Sequence, residues 1–249
     1  MTIETFKVKY KRPQKLSDPA HEYTRDERDR LLATPDRQLT YKEFNSLLGI
    51  LPAGTYEETV YFLPLAFRYI LVDSNKAIQL VVSLSSYISL AAEQLRKDNL
   101  LEPVRDCLKE LFSAWTDTFI VIHLDEAACK DRGYGIDHDD YVENSQALIM
   151  LLSELVKYKI HQDLAEEFLV GLVAPDATPI QAAWFLELGK VDRTVYFPKD
   201  SKLIMQLVKD STLRRHAAEI VRRHIIPQET SPTYWRDTFR KLGLTDMYR

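Results

Sequence analysis

The residues best equipped for chemistry lie close together in the middle of the chain: His123, Asp125, Glu126, Asp131, Asp137, His138, Asp139 and Asp140. Across residues 124–143, seven acidic residues face only Lys130 and Arg132, an excess of five negative charges, so this is the most negative surface the sequence predicts. Carboxylates and imidazoles at this density suit three tasks. Aspartates cap a helix that starts near Tyr141, where both the orphan amides and the macrodipole favour negative charge. His123, His138 and Asp139 are candidate ligands for Mg²⁺, Mn²⁺ or Zn²⁺, although the stretch lacks the ligand spacing and terminal glutamate of an EF-hand. Asp125, Glu126, Asp131, Asp137, Asp139 and Asp140 together form a docking surface for a basic protein, because clustered charge steers encounter and fixes orientation.

His123, the His138-Asp139 pair and Asp163 follow the order seen in all-helical metal-dependent phosphohydrolases, and that likeness implies phosphate-ester hydrolysis as one alternative. The chain departs from the pattern at two points. Its His-Asp pair follows a glycine-containing polar loop instead of sitting on an apolar helix, and the interval from His123 is short. In character alone the sequence is similar to bacterial immunity proteins, which are small, acidic, intracellular and free of catalytic motifs. The leading expectation is therefore a non-enzymatic protein-protein interaction module, of inhibitor or immunity type, that binds a basic partner through the acidic loop and needs no cofactor.

A basic region opposes this acidic one. Residues 212–249 hold eight basic and four acidic side chains, and Arg215 and Arg222, seven apart, share a helix face. With Tyr234 and Trp235 nearby, they are the candidates for the third alternative, a nucleic-acid-binding adaptor. Trp235 equally fits an apolar stripe with Phe239 and Leu242. Cys107 adjoins an apolar stripe and reads as a small buried hydrophobe. Cys129 has no identifiable base beside it. A phosphate-cradling glycine loop, a nucleophile elbow, a dinucleotide fingerprint and a His-Glu-x-x-His pair are all missing from the sequence.

The elements that must position these residues are mostly helices. Three capping boxes pair Thr24, Thr40 and Thr55 with Glu27, Glu43 and Glu58, each satisfying amides at a helix start. Gly49 ends the second helix, and Pro64 forces a kink or new start in the third. From Asn75 to Lys97 the stripe Ala77, Val81, Leu84, Ile88, Ala91 and Leu95 predicts one central core helix. The stripe from Val104 through Leu108, Leu111, Trp115, Phe119 and Ile122 predicts the next, packed against it. Leu148, Leu152 and Leu155 mark another helix, and Leu164, Phe168 and Leu172 one more. Thr178 and Pro179 start a helix that Gly189 ends. Two helices follow, and a last one ends at Gly243.

Before these, Phe6, Val8 and Tyr10 alternate with Lys7, Lys9 and Lys11 in the period-two pattern of a strand, with Thr194 to Phe197 as its only ribbon partner. The expected fold is thus all-α, an irregular multi-helix bundle, with a short α-solenoid as alternative and at most a small strand or ribbon. Residues 1–22 are expected to form an extended arm or strand and residues 23–249 a single helical domain. The seven glycines are too few for a many-stranded sandwich, which agrees with that reading. The net charge of −4 gives no global attraction to nucleic acid or anionic membrane. Two cysteines and the lack of an apolar leader after Met1 point to the cytoplasm.

Overall fold

The computed structural model describes residues 7–72, 78–124, 151–153, 155–156, 160–190, 202–224 and 233–248. Among them stand twelve α-helices with short 3-10 turns and no strand. The chain is an all-α multi-helix protein. No helix among the described residues is long and apolar enough to cross a membrane. By internal contacts the chain divides into two compact units, residues 1–111 and 112–249.

The first unit contains α1 (Arg25–Ala33), α2 (Tyr41–Leu48), α3 (Tyr56–Thr59), α4 (Leu63–Val72), α5 (Ile78–Leu90), α6 (Ala92–Lys97) and the start of α7 (Leu101–Leu124). All three capping boxes form, with Glu27, Glu43 and Glu58 reaching back to the backbone N–H groups of Thr24, Thr40 and Thr55. Gly49 caps the end of α2. Pro64 sits in the first turn of α4, after a 3-10 turn at Val60–Phe62, so the chain makes a new start there. Proline lacks the N–H that a helix interior needs, but a first turn leaves that group free.

The stretch expected as one helix from Asn75 is divided. Ala91, at φ −89° and ψ 4°, separates α5 from α6, while its amide still bonds to Tyr87 and its carbonyl to Leu95, both at 2.8 Å. The core stripe survives this bend: Val81, Leu84, Ile88, Ala91 and Leu95 are all buried, as are Val104, Leu108 and Leu111 of α7. Helix α2 packs on α5 and on the 3-10 turn, placing Phe44, Leu47 and Leu48 in the same core.

Residues 7–24 have no regular secondary structure, yet the alternation read in the sequence persists in space. Val8, Tyr10 and Arg12 are half-buried while Lys7, Lys9 and Lys11 are exposed. Thr194 to Phe197 lie outside the described residues.

The second unit holds the remainder of α7, α8 (Gln162–Gly171), α9 (Pro179–Leu188), α10 (Lys202–Lys209), α11 (Ser211–His224) and α12 (Thr233–Lys241). Helix α9 starts as expected, with Thr178 capping and Pro179 in the first turn, and ends at Gly189. Its residues 182–188 are buried on every side, which makes it the centre of this unit. It packs mainly against α11 and also touches α10, while α10 meets α8. Trp235 and Phe239 of α12 are buried, and Gly243, at φ 72°, closes that helix in the left-handed conformation that glycine adopts without strain.

Candidate functional site

All six acidic residues expected to bind a partner, Asp125, Glu126, Asp131, Asp137, Asp139 and Asp140, lie outside the described residues, as do His138 and Cys129. The helix leading to them is described: α7 ends at Leu124, so His123 occupies its last turn. Asp163 is exposed in the first turn of α8, after His161 at φ 55°. Among the described residues, no group of three or more His, Cys, Asp or Glu is placed to hold a metal ion. Cys107 is buried, and burial pushes its thiol up to about 12, far from the thiolate needed for nucleophilic work.

The two candidate arginines occupy the exposed face of α11. Arg215 pairs with Asp246 at 2.8 Å, and Arg223 pairs with Glu219 at 3.5 Å on the same face. Arg240 of α12 similarly meets Asp237 at 3.1 Å. Arg214 turns inward, donating from Nε to the Val208 carbonyl at 2.7 Å. Arg222 remains exposed. Three of the four acidic residues of this region therefore serve its own arginines, which lowers its field toward an external phosphate.

A further described constellation was not among the sequence candidates. It centres on Asp98, and its position is set by the end of α6. Asn99 takes the left-handed conformation at φ 56°, Leu100 N–H bonds back to the Leu95 carbonyl at 2.8 Å, and Asn99 N–H reaches Arg96 at 3.1 Å. These bonds form a Schellman closure. They hold Asp98 at the corner before α7, where its side chain is only 9% exposed.

Three donors from two distant segments converge on this carboxylate. Lys9 Nζ donates to Oδ1 and forms an ion pair. Tyr10 Oη donates to Oδ2 at 2.7 Å, and Tyr56 Oη donates to the same oxygen at 3.0 Å. Desolvation would raise the Asp98 pKa, but the hydrogen bonds from Lys9, Tyr10 and Tyr56 outweigh it and hold the carboxyl below its usual range. The Tyr56 phenol is pushed upward by burial and then by Asp98, so it stays a neutral donor at physiological pH. Tyr10 is raised first by its bond to Asp98. None of these groups exchanges a proton near neutrality. The arrangement gathers one cationic and two phenolic donors on a single carboxylate.

Two further contacts hold the same N-terminal segment to the first unit. Arg12 Nη1 meets Asp36 Oδ1 at 3.1 Å, its Nη2 donates to the carbonyls of Leu32 and Thr34, and its guanidinium lies 5.9 Å from the Phe62 ring centre. Tyr61 donates to Asp36 at 2.5 Å. Farther on, Ser17 donates to Glu58 from its amide at 2.9 Å and its hydroxyl at 2.6 Å, beside buried Leu16.

In the second unit, a buried acid pairs with a half-buried lysine. Glu187, 2% exposed, faces Lys190 at 2.7 Å, and Lys190 also donates to Thr238 of α12 at 3.2 Å. Burial lowers the Lys190 pKa, opposed by the Glu187 carboxylate. In comparisons with known proteins, the chain matches no family model, no curated protein and no solved structure.

Proposed function

We propose that the chain is a non-enzymatic helical interaction module that binds a basic protein partner through residues 125–140, with a bacterial inhibitor or immunity-type role as the specific form. The observation that carries this reading is the excess of five negative charges within residues 124–143. Charge at that density raises the rate of encounter with a basic surface and selects its orientation. The basic residues of α11 and α12 give the competing nucleic-acid reading less support, since Arg215, Arg223 and Arg240 are each engaged by a neighbouring carboxylate.

The test is recovery of the tagged protein from its native host, in parallel with a variant carrying Asp137→Ala, Asp139→Ala and Asp140→Ala. One dominant partner should accompany the parent protein, dissociate as salt rises and be lost from the variant. Equal recovery of that partner by the variant removes residues 125–140 from the proposal.

A further inference from the structure

The first unit carries a surface already occupied by an extended segment of its own chain. Among the described residues, the backbone of residues 7–17 makes no hydrogen bond to another backbone group, so side chains hold the segment in place. Lys9 and Tyr10 enter the Asp98 socket, where the Tyr10 ring meets the Tyr56 ring edge-on at 5.9 Å. Arg12 enters the socket formed by Asp36, Phe62 and the carbonyls that end α1. Leu16 lies against Gly54, where a Cβ would come within 2.9 Å of Leu16 Cδ2 and 2.8 Å of Glu58 Oε2.

The chemistry of the two sides is complementary. Residues 7–15 include Lys7, Lys9, Lys11, Arg12 and Lys15 and no acid, while the sockets present Asp98, Asp36 and Glu58. An extended peptide read by pockets at spaced side chains is a common recognition mode.

We propose that this face is a docking surface for an extended basic segment of a partner protein, read as Lys–aromatic–x–Arg, with residues 9–12 as its built-in occupant. The resident segment competes at the high effective concentration of an intramolecular ligand, so it keeps the surface closed to weak basic peptides. A second copy of the chain offers only the same segment and no gain over the resident one. This surface is independent of residues 125–140, and loss of partner binding there leaves it intact.

The probe is a fluorescent synthetic peptide of residues 7–17, titrated by anisotropy against the full-length chain and a Lys9→Ala/Tyr10→Phe variant. Loosening the resident segment should tighten peptide binding by roughly tenfold or more. Added salt should weaken that binding, and a further Asp98→Asn substitution should abolish it. A peptide in which Lys9 and Arg12 are replaced by Glu should not bind. The proposal is overturned if the folded variant binds the peptide no better than the parent, or if binding survives Asp98→Asn. Concentration-dependent dimerisation of the parent by segment exchange would also overturn it, because the surface would then belong to a second copy. Lys9 is 64% exposed, so Lys9→Ala alone preserves the fold and is held to the same criteria should the double variant unfold.

Discussion

Glu187 and Asp98 each hold a carboxylate largely shielded from bulk water, and their partners decide what that costs. Glu187 lies in the buried stretch of α9, residues 182–188, and faces the Lys190 ammonium at 2.7 Å. Removing one member of such a pair is far worse than removing both, because the remaining charge keeps its desolvation penalty. Lys190→Met should therefore destabilise the chain by about 3–5 kcal/mol, read from the urea midpoint, whereas Glu187→Leu combined with Lys190→Met should recover most of the loss. A double variant as unstable as the single would show that the pair is not the source. Asp98 differs, being held by donors at its rim. Its folded pKa lies below the unfolded value of about 3.9, so its contribution is complete at neutral pH and is lost as pH falls from about 4 through the folded pKa. Acid titration of the parent should show a steeper loss of stability below about pH 4 than Asp98→Asn shows. Superimposable acid profiles would mean that Asp98 contributes no linkage.

At the scale of elements, the end of α6 is the point on which the Asp98 site depends. Asn99 holds φ 56°, a conformation that costs most L-residues about 1–2 kcal/mol but is tolerated by Asn and free for Gly. Asn99→Ala should accordingly lower stability by about 1–2 kcal/mol and Asn99→Gly should be neutral or better. Equal melting of the two variants would show that the left-handed turn is not what fixes this corner. The helix starts were legible because a capping box is a contact between residues three apart, announced at Thr24, Thr40 and Thr55, and because Thr178 followed by Pro179 marks a start just as locally. Stops at Gly49, Gly189 and Gly243 were legible for the same local reason. The bend at Ala91 was not, since alanine favours continuation and nothing nearby in the sequence opposes it. The Asp98 site was equally hidden, because its donors Tyr56, Tyr10 and Lys9 lie 42, 88 and 89 residues away. Alternation marked residues 6–11 as half-buried, but the pattern suggested a strand. Among the described residues, what covers the inner side is a set of side-chain sockets.

For the whole molecule the relevant quantity is how charge is distributed along a chain of modest net charge. Residues 7–15 hold five positive charges and residues 124–143 an excess of five negative ones, yet the formal total is only −4. The positive stretch meets carboxylates of its own unit through Lys9 and Arg12. Asp137→Ala, Asp139→Ala and Asp140→Ala together take the formal charge from −4 to −1 without altering any described core residue. The melting temperature should therefore stay put while association with the basic partner slows. Steering acts on encounter, so the fall should appear mainly in the association rate, by about one order of magnitude at low ionic strength, and shrink as salt screens it. Surface plasmon resonance across a salt series separates the two rates. A loss confined to dissociation, with no salt dependence, would instead assign these aspartates to close contacts within the complex.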